Sequence, residues 1–69
     1  MVNINDMKPG VKVHYKPGYG EPENGVVKSI NIRNYEAVFV VYHCAGEWDK
    51  FNNYTGELTD LKDLHLGWV

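Results

Sequence analysis

Apolar and polar residues alternate near the start of the chain in the pattern of a half-buried β-strand. In residues 11–15, Val-Lys-Val-His-Tyr, every second side chain is apolar, which is the period that a strand requires. Two Pro and two Gly fall within residues 16–24, a density that excludes a regular element and predicts a long loop. A second strand is predicted over residues 26–32, with a bulge near Lys28 and Ser29 because the alternation shifts there.

The second half of the chain predicts three further strands and one short turn. Residues 37–43 are apolar almost throughout, which is typical of a strand buried on both faces. Residues 48–54 are interpreted as a fourth, more polar strand, and residues 64–68 as a fifth. Between these two strands, residues 59–64 predict a single helical or 3₁₀ turn. No stretch sustains the apolar period of a longer helix, so an almost all-β protein is expected.

The predicted core consists of the inward-facing apolar residues of these strands. They are Val13, Val27, Ile30, Val38, Val40, Tyr42 and Leu64. Strands as short as these need a closed or nearly closed sheet to hide their edges, which favours a small barrel.

The order of several short motifs resembles an SH3-like barrel of the Tudor/KOW type. These motifs are Pro9-Gly10-x-Lys12-Val13-x-Tyr15, Gly25-x-Val27-x-x-Ile30, Val38-x-Val40-x-Tyr42 and Asp63-Leu64. The resemblance covers most of the chain. It implies an all-β fold, a five-stranded SH3-like half-open barrel with one short helical or 3₁₀ turn before the last strand, formed by residues 1–69 as a single domain.

A second resemblance concerns the segment that follows the third predicted strand. Residues 40–49, together with Tyr54-Thr55-Gly56 and Leu66-Gly67-Trp68, resemble small uncharacterised proteins of gut bacteria and their phages. This resemblance implies no activity.

Composition and charge narrow the classes of function. The 69 residues are 43% hydrophobic and 23% charged, as expected for one globular domain, and the net charge is −2. A chain without basic excess lacks the overall electrostatic footprint of a nucleic-acid or lipid-surface binder. Cys44 is the only cysteine, so no internal disulfide forms, and no signal-peptide pattern or membrane span is visible. We therefore expect a cytoplasmic location.

Aromatic residues make up 13% of the chain and supply the leading candidate site. In Tudor-like barrels, aromatic rings from the first loop and from the region around the third and fourth strands surround a methylated cation, which cation–π attraction holds. In this sequence the matching segments carry Tyr19, Tyr42, Trp48, Phe51 and Tyr54. The candidate binding residues among them are Tyr19, Trp48, Phe51 and Tyr54. The alternative is that these rings fill the barrel core.

Two of these rings, Tyr19 and Trp48, lie among glycine and charged residues, so we expect them to be partly exposed at one rim of the barrel. The leading prediction is a non-enzymatic binding module. It would present its loop aromatics, from residues 16–24 and 44–50, to a protein or peptide partner.

A basic stretch offers a second hypothesis, namely a KOW-like nucleic-acid-binding accessory protein. Residues 1–33 hold five basic and three acidic groups, whereas residues 34–69 hold two and six. Phosphate contacts would come from Lys8, Lys12, Lys16 and Lys28, and base stacking from Tyr19. The alternative is a solvated strand face whose lysines protect it from aggregation.

The sequence predicts neither catalysis nor a bound metal or cofactor. The candidate ligands or nucleophiles are His14, His43, Cys44 and His65. His43 and Cys44 are adjacent and therefore point to opposite faces of a strand, and no paired metal-ligand spacing exists. The Gly18-x-Gly20 segment lacks the residues of a phosphate-binding loop.

Overall fold

The computed structural model describes residues 2–31, 33 and 35–69, and it contains five antiparallel strands with three 3₁₀ turns. The strands are β1 (Lys12–Tyr15), β2 (Glu23–Ile30), β3 (Ala37–Val41), β4 (Glu57–Asp60) and β5 (Leu64–Leu66). The described part is therefore all-β, as the sequence predicts. No helix in this part is long and apolar enough to cross a membrane.

The strands form one sheet in the order β4-β3-β2-β1-β5, which is not closed. β2 is long enough to pair with β1 through its first half and with β3 through its second half. Its register shifts between Val27 and Ser29, so the predicted bulge at Lys28 and Ser29 is confirmed. A bulge increases the local bend and twist, and this allows β2 to serve both halves of the sheet.

Four predicted strand boundaries differ from the observed ones. β1 begins at Lys12 rather than at residue 11, and β5 ends at Leu66 rather than at residue 68. β2 begins at Glu23, earlier than predicted, because residues 23–25 continue the pairing with β1. β3 ends at Val41, two residues before the predicted end. The predicted end of the second strand at residue 32 lies outside the described residues.

The predicted fourth strand over residues 48–54 is wrong. Trp48–Asn53 forms one 3₁₀ segment that is kinked at Lys50, and β4 lies further along at Glu57–Asp60. The predicted turn before the last strand is present as Leu61–Asp63. A third 3₁₀ turn, Ile4–Asp6, begins where the Asn3 side chain accepts a hydrogen bond from the Asn5 N–H at 2.9 Å.

Most of the predicted core is buried on the inner face of the sheet. Val13, Val27, Val38, Val40, Tyr42 and Leu64 form one cluster with Met7 and Leu61. Ile30 is an error of prediction because its side chain, at the end of β2, is 40% exposed. Met7 was not predicted because charged and turn-forming residues surround it in the sequence.

The strand β3 is buried on both faces, as its continuous apolar sequence predicts. Val38 and Val40 face the core cluster, whereas Ala37 and Val41 are buried on the opposite, outer face. The register pairs Val41 with Val26, which is also buried on that outer face. A second, smaller apolar layer therefore covers the outside of the sheet.

Candidate functional site

Three of the four predicted site aromatics lie in the 3₁₀ segment after β3 or directly after its end. Trp48, Phe51 and Tyr54 are spaced three residues apart and are all partly buried, whereas the four residues between them are exposed. A 3₁₀ turn has about three residues per turn, so a spacing of three matches this kind of segment, although the kink at Lys50 separates Trp48 from Phe51. The spacing of one aromatic in three was the sequence signal for the segment.

Trp48 packs against a second tryptophan from the end of the chain. The ring centroids of Trp48 and Trp68 are 5.0 Å apart and the rings are tilted by 60°. Nε1 of Trp68 donates a hydrogen bond to the Gly25 carbonyl at 2.8 Å, which fixes this indole on β2. Trp68 remains 37% exposed, so the two indoles form a partly accessible pair, called here the indole pair.

The other two rings of the segment have contacts within the domain. The ring of Phe51 lies beside Gly10, which precedes β1 in the sequence. The Tyr54 hydroxyl donates a hydrogen bond to Oε2 of Glu47 at 2.8 Å, and this bond raises the pKa of the phenol. The Tyr54 carbonyl accepts a hydrogen bond from Nζ of Lys28 at 2.7 Å. Phe51 and Tyr54 thus support the turn that carries Trp48.

Tyr19 lies apart from this segment in the loop between β1 and β2. Its side chain is 87% exposed, in agreement with the expectation that it would be accessible. Within residues 2–31, 33 and 35–69 it makes no ring contact with Trp48, Phe51 or Tyr54. The structure therefore offers two accessible aromatic features and does not join them by contact.

The lysines of the second hypothesis differ in their surroundings. Lys8 and Lys16 are exposed, whereas Nζ of Lys28 is bound to the Tyr54 carbonyl. Nζ of Lys12 lies 4.7 Å from the centre of the Trp68 ring, which is a cation–π distance. These four lysines therefore do not present a uniform row of free ammonium groups.

The neighbouring His14 is also engaged with the end of the chain. Its ring stacks on that of His65, with centroids 5.1 Å apart, and its Nδ1 lies 2.8 Å from the Gly67 carbonyl. A carbonyl only accepts, so Nδ1 donates this bond. The outer side of β1 is therefore partly covered by a residue of β5 and by residues that follow it.

Sequence reasoning missed an acidic groove of about 340 Å³, lined by residues from β1, β2, β4 and the connections that follow β3 and β4. Its lining residues are Tyr15, Glu23, Tyr42, Glu57, Leu58, Thr59, Asp60 and Asp63. The Tyr15 and Tyr42 rings meet edge to face with centroids 6.2 Å apart. No local motif predicts this groove, since its residues are brought together only by the pairing of distant strands.

The carboxylates of this acidic groove are largely without cationic partners. Glu23 is hydrogen-bonded to a histidine, since Nε2 of His43 lies 2.8 Å from its Oε1. No lysine, arginine or histidine among the described residues lies within ion-pair distance of Glu57, Asp60 or Asp63. In the same part of the chain, no group of three His, Cys, Asp or Glu side chains is arranged to hold a metal ion.

No protein-family model, no curated protein and no solved structure matches this chain.

Proposed function

We propose that this chain is a non-enzymatic binding module that presents surface aromatic side chains to a protein or peptide partner. The observation that carries the proposal is the indole pair, in which Trp48 and Trp68 pack on the outer face of the sheet and stay partly accessible. Tryptophan and tyrosine dominate the binding free energy of many interfaces because they bury a large area with few rotatable bonds. The exposed Tyr19 provides a second contact of the same chemistry.

We further propose that the sheet is an SH3-like half-open barrel. Support comes from the strand order, from the Leu61–Asp63 turn between β4 and β5, and from the bulged β2 that pairs with both β1 and β3. In such a barrel the loops between strands project from a small rigid body. Rigid presentation lowers the entropy cost of binding, which suits a domain whose role is recognition.

The test is a comparison of four immobilised proteins, which are the wild type and the variants Trp48→Ala, Tyr19→Ala and Tyr35→Ala. Polypeptides captured from cells of the source organism are identified by mass spectrometry, produced separately and titrated against each protein. Trp48→Ala should weaken binding by more than about 1 kcal/mol, because loss of an interface anchor has at least that effect. Tyr35 is also an exposed aromatic, at 60%, but lies outside the proposed surface, so Tyr35→Ala is the matched control.

The proposal is wrong if every captured polypeptide binds Trp48→Ala and Tyr19→Ala as tightly as it binds the wild type. Circular dichroism of each variant is required, because an unfolded variant would lose binding for a trivial reason.

Binding of single-stranded nucleic acid is the second candidate, and the position of Lys12 over Trp68 is the observation that favours it. Aromatic faces next to cationic groups are the usual means of holding single strands. The net charge of −2 opposes this function. Titration of a fluorescent oligonucleotide at several salt concentrations decides between the two, since binding to phosphates weakens steeply with salt.

A further inference from the structure

The strand β4 is one open edge of the sheet, because its only strand neighbour among the described residues is β3. The Leu61 N–H donates to the Glu36 carbonyl at 2.8 Å, just beyond the β3–β4 pairing. Hydrogen-bonding groups of successive residues in an antiparallel strand point alternately to the two sides. Residues 59 and 57 therefore bond toward β3, and the N–H and C=O of Leu58 point away from it, to the open edge.

The acidic groove runs along this edge. All four residues of β4 line it, although successive side chains of a strand point to opposite faces of the sheet. A cavity that contacts side chains on both faces of the strand must run along the strand edge. Its other side is formed by Tyr15, Tyr42 and Asp63, so an extended segment would lie between these residues and β4.

The charge of the acidic groove limits what can occupy it. Glu57, Asp60 and Asp63 have no cationic partner within ion-pair distance in the described part of the chain. A second copy of the chain that paired its own β4 with this edge would bring carboxylates against carboxylates, which is unfavourable. A segment that carries lysine or arginine would instead meet opposite charges along its length.

We propose that the acidic groove binds an extended basic segment of a partner polypeptide, which adds to β4 as a further strand. The segment would exchange backbone hydrogen bonds with Leu58 and carry Lys or Arg side chains on both of its faces, toward Glu57 on one face of β4, toward Asp60 on the other, and toward Asp63 across the groove. This combination of strand addition for affinity and side-chain pairing for selectivity is an established mode of peptide recognition. The inference rests on the proposed function in taking a polypeptide as the partner, but it uses a surface distinct from the indole pair.

The experiment uses a fluorescein-labelled peptide that repeats Arg-Arg-Thr-Thr, so that an extended conformation carries arginine on both faces. Binding is measured by fluorescence anisotropy. Two control peptides are a version with glutamate in place of arginine, and an arginine version whose central backbone nitrogens are methylated. N-methylation keeps the charge but removes the N–H groups that pair with an edge strand. We expect binding of the first peptide only.

Three protein variants complete the design. The double variant Glu57→Gln, Asp60→Asn should weaken binding by about fivefold or more, as expected for the loss of two exposed ion pairs. Leu58→Pro should weaken binding as well, because it removes an N–H that points to the open edge rather than to β3. Asp49→Asn removes one exposed charge outside the acidic groove and should bind like the wild type.

The proposal is overturned if the arginine peptide does not bind at millimolar concentration, or if its N-methylated version binds equally well. It is also overturned if size-exclusion chromatography shows a dimer that the Leu58→Pro variant cannot form, since a second copy would then occupy the edge. Trp48→Ala separates this proposal from the proposed function. If Trp48→Ala binds the arginine peptide as tightly as the wild type, the acidic groove binds without the indole pair. A negative result for one of the two surfaces then does not contradict the other. Thermal melting of each variant verifies that it is folded.

Discussion

The hydroxyl of Tyr42 lies 2.8 Å from Oγ1 of Thr59, and this buried hydrogen bond joins the residue after β3 to the middle of β4. Thr59 Oγ1 also lies 3.3 Å from the Glu57 carbonyl, which is a longer contact within the same strand. Burial raises the pKa of Tyr42 to about 12. The phenol is therefore held in its neutral form well above the pH at which an exposed tyrosine ionises.

This pKa predicts that the domain loses stability in alkali. The folded pKa is about 12 and the reference value is 10.0, so the unfolded chain releases its proton first as the pH rises. The contribution of Tyr42 is complete below pH 10 and is lost as the pH rises toward 12. The free energy of unfolding should fall by at most about 3 kcal/mol over this window, because a pKa difference of one corresponds to about 1.4 kcal/mol. Urea unfolding at a series of alkaline pH values measures it.

Tyr42→Phe is the control for this titration. The variant should have a free energy of unfolding about 1 kcal/mol lower than the wild type at neutral pH, because it lacks the hydrogen bond to Thr59. Its stability should then decline less steeply in alkali than that of the wild type. Parallel curves for the two proteins would show that other groups, and not Tyr42, cause the decline.

The centre of β3 predicts a large effect of one small substitution. Val40 is completely buried in the main cluster, so Val40→Ala should destabilise the domain by about 2–3 kcal/mol through lost burial and a residual cavity. A domain of this size has little stability to lose. Leu58→Ala, at a position 56% exposed, is the control and should change stability by less than about 0.5 kcal/mol. Equal melting temperatures for Val40→Ala and the wild type would contradict the assigned packing.

Gly25 marks a close approach between β2 and the end of β3. A Cβ at this position would lie 2.6 Å from Cγ1 of Val40 and 2.8 Å from Cδ1 of Tyr42. Gly25→Ala should therefore cost about 1–3 kcal/mol, as is usual for overpacking. Gly18→Ala is the matched control, since nothing lies within 4 Å of its Cβ position. If the two variants have the same melting temperature, the packing around Gly25 is looser than the structure indicates.

The partial burial of Trp48 predicts its fluorescence. In a Trp68→Phe background, Trp48 is the only indole, and its emission should lie between those of buried and fully exposed tryptophan. Acrylamide should quench it to an intermediate degree, because its side chain is partly accessible. The reciprocal variant Trp48→Phe reports Trp68 in the same way. If Trp48 emission is blue-shifted and acrylamide does not quench it, Trp48 is not part of the proposed binding surface.

The sequence pattern predicted elements whose structure depends on near neighbours. The alternation in β1, the two-sided burial of β3, the bulge in β2 and the turn at Leu61–Asp63 all have local causes, and all are present. Residues 48–54 were predicted as a fourth, more polar strand, whereas Trp48–Asn53 is a 3₁₀ segment. Its spacing of one aromatic in three, among Asp, Lys and Asn, is instead that of a 3₁₀ turn.

The candidate sites were predictable only in part, because some of their contacts join residues that are distant in the sequence. The exposure of Tyr19 follows from its two flanking glycines, which offer no packing partners. The indole pair depends on a contact between residues 20 positions apart, and the acidic groove joins Tyr15 to Asp63. Such contacts are fixed by strand pairing and not by local sequence, so no local motif indicates them.

The hydrogen bond from Trp68 to the Gly25 carbonyl joins residues that are 43 positions apart, and this separation has a kinetic consequence. The β1–β2 hairpin can form early, because its paired residues are near in sequence. The outer side of that hairpin is covered only after the rest of the sheet has assembled, since closing a long loop is costly before other contacts compensate. Removal of this late contact, as in Trp68→Phe, should therefore accelerate unfolding and leave the rate of refolding almost unchanged.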